Sequence, residues 1–165
     1  SSTVFGDDLS DGAAAYKKGD YKTAMKLWKP MAEKGNAYAQ YALGEMYEYG
    51  NGVSEDDKQA VKWYRLTAER GLAGAQYSLG IMYRNGDGVT ENHLTAYVWM
   101  SVAAARGNQL AKDNIAIVKK SLTNEQLAQG QVLASKCFES FSKIVHNDFK
   151  KLWVQQQLAK DRSQF

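Results

Sequence analysis

At 165 residues, with 44 % hydrophobic and 24 % charged side chains, the chain has the size and balance of one globular domain, which excludes a disordered or fibrous protein. One Pro beside 14 Gly suits helices joined by glycine turns, and the single cysteine, Cys137, excludes an intrachain disulfide or a Cys-rich metal site. A net charge of +3 is too small to mark a nucleic-acid binder.

The elements are set by an internal repeat. A shift of 36 residues lays Ala37, Ala39, Gln40, Tyr41, Leu43, Gly44, Met46, Tyr47, Gly50, Gly52 and Val53 on identical residues from Ala73 to Val89. The same offset pairs Ala60 with Ala96, Trp63 with Trp99 and Arg70-Gly71 with Arg106-Gly107. In chain order, the first unit, about residues 8–35, carries Gly12, Ala15, Gly19, Asp20, Tyr21, Ala24 and Trp28. Gly12 to Ala24 spans twelve positions where Gly44 to Ala60 and Gly80 to Ala96 span sixteen, so this unit lacks a four-residue loop insertion. Pro30 falls inside its second helix, where the missing donor and the ring predict a kink.

The second and third units, 37–71 and 73–107, each read as a helical pair, because Ala39, Leu43, Met46 and Tyr47 recur at helical spacing, as do Ala60, Trp63, Tyr64 and Ala68. Glycine-bearing loops at Gly50-Asn51-Gly52 and Gly86-Asp87-Gly88 close their first helices. Ser54 and Thr90 are the expected N-caps of the second helices, with Asp57 completing a capping box. A fourth, degenerate unit spans 108–145, with Lys112-Asp113 in place of the Gln-Tyr pair. Thr123-Asn124-Glu125-Gln126 predicts a capping box that opens its last helix. A basic amphipathic helix over 146–165 follows. His146-Asn147-Asp148 either breaks the preceding helix or lies within one that runs on to about residue 160.

The pattern A-x-A-Q-Y-x-L-G-x-M-Y, then Y-G-N-G-V, A-V-K-W-Y and A-E-R-G, resembles the Sel-one-like repeat, a longer-loop relative of the tetratricopeptide repeat. The resemblance covers Ala37 to Gly107 nearly throughout and continues more weakly on both sides. It implies an all-α, right-handed α-α superhelix (solenoid) of about four helix-turn-helix repeats in residues 1–145, plus the C-terminal helix. It also implies a protein or peptide partner, and service in bacterial envelope, secretion or signalling pathways, which leans towards an exported bacterial protein. The chain starts Ser-Ser-Thr-Val-Phe, which fits either a processed chain or one whose targeting segment is absent. Cysteine-rich members of the family bridge each helical pair with Cys pairs, and a penicillin-directed activity has been proposed for them; neither carries over to a chain without such pairs.

No catalytic constellation emerges. His93 and His146 lie too far apart in sequence for a metal-ligand pair, and neither has a nucleophile and orienting carboxylate at hand. Cys137 sits in an apolar-periodic helix and reads as a small buried hydrophobe. Asn51-Gly52 and Asp87-Gly88 read as turns, without the lysine of a phosphate loop or the carboxylates of a calcium loop. The reading is therefore a non-enzyme with no cofactor and no metal. The longest uncharged stretch in the middle of the chain, Leu94 to Ala105, is shorter than the roughly 20 residues a membrane-spanning helix needs.

The informative residues are those that packing does not require. On the first helix of the second unit, Tyr38, Tyr41, Glu45 and Glu48 form a stripe beside the core, and the positions 36 further on hold Gly74, Tyr77, Ile81 and Arg84. First helices line the concave face of such arrays, so Tyr38, Tyr41, Glu45, Glu48, Tyr77, Ile81 and Arg84 are the candidate groove for a partner. For Tyr41 and Tyr77 the alternative is plain packing between repeats; Tyr38 and Glu45 are the better candidates for exposure. In the C-terminal segment, Ile144, Val145, Phe149, Leu152, Trp153, Gln156 and Ala159 make an apolar stripe with lysines largely off it. It folds back as a cap, forms a homodimer or partner interface through Val145, Phe149, Leu152 and Trp153, or rests on an anionic surface. The interface reading defines a second function class, a structural or regulatory assembly subunit.

Overall fold

The computed structural model describes residues 4–142, with side chains placed for 8–140. The expected C-terminal helix, the break near His146 and the interface residues Val145, Phe149, Leu152 and Trp153 lie outside the described residues. Eight helices and no strand occur among the described residues: α1 (Val4–Lys17), α2 (Tyr21–Glu33), α3 (Ala37–Glu48), α4 (Asp57–Ala68), α5 (Ala73–Asn85), α6 (His93–Ala105), α7 (Gln109–Lys119) and α8 (Asn124–Ser142). They fall into two compact units that divide between Thr67 and Ala68.

In the first unit, α1 packs on α2 and α2 on α3. The core gathers Ala24, Trp28, Met31, Ala32, Ala39, Leu43 and Met46. Trp28 is the large residue of this cluster, and its indole Nε1 donates to the carbonyl of Leu9 on α1. Asp20 caps α2 through a bond from Thr23 N, and Asn36 caps α3 through one from Ala39 N. Helix α2 runs unbroken across Pro30, where the sequence predicts a kink; the proline is exposed and only one turn from the helix end. So close to the C-terminus, few residues follow to be displaced.

In the second unit, α5 packs on α6, and α6 in turn packs on both α7 and α8. Helix α6 is buried nearly all round, from Thr95 to Ala103, as a helix with neighbours on several sides must be. Thr123 and Gln126 form the expected capping box at α8: Thr123 N donates to Gln126 Oε1 at 3.0 Å, and Gln126 N to Thr123 Oγ1 at 3.1 Å.

Helical pairs in the two units close in the same way. A first-helix glycine lies under a large residue of the second helix: Gly12 under Trp28, Gly44 under Tyr64 and Gly80 under Met100. A methyl at Gly44 would sit 2.5 Å from a Tyr64 ring carbon, and one at Gly80 2.8 Å from Met100 Cγ. Trp28, Tyr64 and Met100 are each 36 residues apart. The period thus survives in the large residues even where the shorter first loop shifts the glycine.

The capping expectation needs correction. Helix α4 is capped by Asp56, which accepts from Gln59 N at 3.0 Å, and α6 by Asn92, which accepts from Thr95 N at 2.9 Å. Ser54 and Thr90 lie two residues too early. The loop is closed by Asp56 N donating to Tyr47 O and Asn92 N donating to Tyr83 O. Those bonds fix Asp56 and Asn92 as the residues that enter the helix, and their short carboxylate and amide side chains then satisfy the first-turn donors.

Candidate functional site

The first unit places the predicted stripe on α3, and its members do different work. Tyr38 stands 66 % exposed in the first turn. Tyr41, one turn on, is half-buried, and its ring meets that of Tyr64 on α4 with centroids 5.5 Å apart, a tilted contact within one repeat. The Tyr64 hydroxyl donates to the Glu48 carboxylate. Glu45, between Tyr41 and Glu48 on this face, is half-buried and not the exposed residue the sequence suggests.

These positions make one electrostatic cluster. Burial holds the Glu45 carboxyl above the usual carboxylate range; a hydrogen bond from Tyr41 opposes that shift, and the charge of Glu48 adds to it. Burial also pushes the Tyr64 phenol up, as do its bond to Glu48 and the charges of Glu48 and Glu45. Tyr16 of α1 joins the same neighbourhood: its phenol is raised by burial and by Glu45, and its oxygen accepts a 2.8 Å hydrogen bond from Asn51 Nδ2. Tyr16 also meets the Tyr21 ring edge-on at 5.0 Å. Asn51 is thus more than a turn residue, since it ties the α3–α4 loop to α1. The outcome is a pair of glutamates framed by tyrosine rings, with Tyr38 and the 62 % exposed Tyr49 at its margins.

In the second unit the equivalent stripe differs. Tyr77, Ile81 and Arg84 are half-buried on α5, and Arg84 Nε donates to Asn85 Oδ1 at 3.0 Å. Position 81 carries no carboxylate, and Met100 stands where Tyr64 stands 36 residues earlier, so the glutamate–tyrosine pairing is specific to α3 and α4.

A role the sequence reading missed belongs to the buried glutamines. Gln40 Nε2 donates to Ala32 O at 2.9 Å, and Gln76 Nε2 to Ala68 O at 3.0 Å, each reaching the final turn of the helix before it. The signal was present: a polar residue identical at offset 36 inside an apolar stripe. At the fourth unit Lys112 takes this place and is exposed.

The remaining chemistry-bearing residues are quiet. Cys137 is 3 % exposed and burial pushes its thiol to about 12, so it is protonated at neutral pH. His93 Nδ1 lies 3.3 Å from Glu91 Oε1 at the surface, and His146 is outside the described residues. No group of three or more His, Cys, Asp or Glu side chains able to hold a metal occurs among the described residues. No helix among them is long and apolar enough to cross a membrane.

Helical pairs recurring at a fixed offset, each closed by the same glycine contact and linked by the same buried glutamine, define an all-α repeat protein of the solenoid class. The Sel1 repeat family matches residues 9–36, 37–72 and 73–108, well over half of the chain, and the chain belongs to that family. A protective antigen present in uropathogenic Escherichia coli strains, displaying an SLR fold, aligns with a TM-score of 0.78 at 32 % identity, over 83 % of this chain and 30 % of the antigen's. A Sel1 repeat protein from Oxalobacter formigenes aligns at 0.63 and 31 % identity, over 78 % of this chain and 55 % of its own. Two curated relatives are exopolysaccharide production negative regulators. That of Rhizobium meliloti (strain 1021) is 44 % identical over 46 residues, and that of Rhizobium leguminosarum bv. viciae 41 % over the same length. The match covers 28 % of this chain and 17 % of either regulator. Sel1 repeats as a class mediate protein–protein interaction, on a fold that is in general a non-catalytic scaffold.

Proposed function

We propose that this protein is a non-enzymatic scaffold or adaptor that binds a protein or peptide partner through the first-helix faces of its repeats. The α3 patch of Tyr38, Tyr41, Glu45 and Glu48 is the principal site, and Tyr77, Ile81 and Arg84 on α5 are a second contact surface. The observation that carries the reading is Glu45. A carboxylate held half-buried beside a second one, where both burial and repulsion disfavour its charge, weakens the folded state unless something else gains from it. A Lys or Arg side chain of a partner would relieve both penalties, and the surrounding tyrosines would receive its methylene stem and its charge. The partner segment is accordingly basic. Because the repeat core already fixes the patch, binding costs little reorganisation. The rhizobial relatives regulate exopolysaccharide production negatively; a scaffold that acts by occupying another protein would suit such a role here, although this chain spans less than a fifth of their length.

The test is retention of an array of peptides graded from basic to acidic by the wild-type chain and by the Tyr38→Ala, Glu45→Lys double variant. The wild type should retain the basic peptides and the variant should release them. Equal retention by a variant with an unchanged unfolding curve would sink the assignment.

A further inference from the structure

Helix α7 is held by few of its residues. Ala111 and Val118 are fully buried, yet Leu110 and Ile117, each one position earlier, stand 57 % and 53 % exposed. Seven residues separate the exposed pair, which is two turns and about 10 Å along one helix face. Two large aliphatic side chains aligned on an open face are more than the packing of α7 requires. The neighbouring helix continues that face. Asn108, the N-cap of α7, donates through Nδ2 to the Ala73 carbonyl at 3.5 Å, where α5 begins, and α5 packs on α7. The two helices therefore start side by side and run the same way. The 36-residue offset becomes a set of lateral rows: Gly74 beside Leu110, Ile81 beside Ile117 and Arg84 beside Lys120. Gly74 leaves Leu110 open to approach, and the half-buried Ile81 widens the aliphatic strip.

The charge on these helices has one sign. With the Lys120 cap included, α5 and α7 carry Arg84, Lys112, Lys119 and Lys120 against a single carboxylate, Asp113, which already accepts a 2.8 Å bond from Gln109 Nε2. Arg84 donates to the neutral Asn85 Oδ1, and Lys120 is exposed. Cations suit a helix C-terminus, but α3 ends as a regular helix with Glu48 in the same row, so ending a helix does not by itself demand them. We infer that this face of the second unit seats an acidic amphipathic helix of a partner protein, its aliphatic side chains on Leu110, Ile81 and Ile117 and its carboxylates at Arg84 and Lys120. Charge complementarity selects this occupant: a basic amphipathic helix would cover the same aliphatic strip but set like charges against Arg84 and Lys120. The inference rests on the reading of first-helix faces as contact surfaces, and it gives the second unit a partner chemistry opposite to that of α3.

Fluorescence anisotropy on the full chain tests this with a labelled peptide of about four helical turns, leucine at every third or fourth position and glutamate between. The same peptide with lysine for glutamate is measured beside it. The wild type should bind the acidic peptide, and more weakly as salt rises. Leu110→Asp should weaken that binding about tenfold or more; the position is exposed in the first turn of α7, where a carboxylate favours the helix, so the fold is kept. Lys120→Gln should weaken it about threefold and flatten the salt dependence. The Tyr38→Ala, Glu45→Lys variant should release the lysine peptide and keep the acidic one, so failure of the α3 patch and failure of the α5–α7 face are told apart. Three results overturn the inference. They are an acidic peptide that the wild type does not bind, one that Leu110→Asp binds equally well, and a wild-type dimer that Leu110→Asp dissolves, which would seat a second copy on this face.

Discussion

Helices α3 and α5 descend from the same repeat and are built alike, yet they show different faces. Each places a buried glutamine against the helix before it, a glycine under a large residue of the helix after it, and a left-handed glycine just beyond its C-terminal end, Gly50 at φ 65° and Gly86 at φ 81°. What differs is the stripe beside the core, where Tyr38, Glu45 and Glu48 correspond to Gly74, Ile81 and Arg84. The exchange of Glu48 for Arg84 goes with the exchange of Tyr64 for Met100, because the Tyr64 hydroxyl needs the acceptor that Glu48 provides. Residues that hold a repeat together are thus the ones held in common, and α3 spends its variable positions on a charge that its own fold disfavours.

The largest expected effect strikes the shared part. Gly44→Ala should destabilise the chain by about 2 kcal/mol despite the better helix propensity of alanine, because the methyl meets a packed ring, and Gly80→Ala by a similar amount, because the methyl meets Met100 Cγ at 2.8 Å with the Ala96 carbonyl oxygen at 3.3 Å behind it. Denaturant unfolding of both variants checks this, and an alanine tolerated without loss at either position would break the account of how the pairs close. Next, Gln40→Leu and Gln76→Leu should each cost about 1 kcal/mol by removing the side-chain bond that ties one helix to the end of the helix before it, although each carbonyl keeps its backbone bond, from Gly35 N or Gly71 N. Similar losses for the two would confirm a common structural role. Asp56→Ala should lose about 1 kcal/mol of stability as a lost N-cap, and Ser54→Ala nearly nothing.

The smallest effect marks the difference between the faces. Glu45 titrates higher in the folded chain than unfolded, so the folded state holds more protons across that interval and stability rises as pH falls through it. Glu45→Gln should therefore be slightly more stable than wild type at neutral pH, with the advantage vanishing below the ordinary glutamate range. Thermal unfolding from neutral to acid pH measures it; a Glu45→Gln chain less stable at neutrality would show that the carboxylate supports the fold. Binding of basic peptides should weaken over the same acid range, as Glu45 takes up its proton.

Much of this was legible in the sequence. Identity at offset 36 reveals the helical pairs, and the glycines and capping boxes give their ends to within a few residues. The caps at α4 and α6 were placed two residues early because Ser54-Glu55-Asp56-Asp57 offers several capping side chains, and the choice is made by a backbone bond from Asp56 to Tyr47 across the loop. The site was legible as a stripe but not as a cluster. Periodicity shows that Tyr41, Glu45 and Glu48 share a face, yet it cannot show that Tyr64 and Tyr16, from other helices, close around them and turn an apparently exposed Glu45 into a half-buried one.

The most direct test gives α3 the residue of α5. Glu45→Ile installs the counterpart of Ile81 while keeping the tyrosines and the core, and its retention of basic peptides can be measured beside its unfolding midpoint. The account predicts a loss of affinity of about tenfold or more, roughly 1.4 kcal/mol, with an unfolding midpoint no lower than wild type. Undiminished retention of basic peptides by a fully folded Glu45→Ile chain would contradict it.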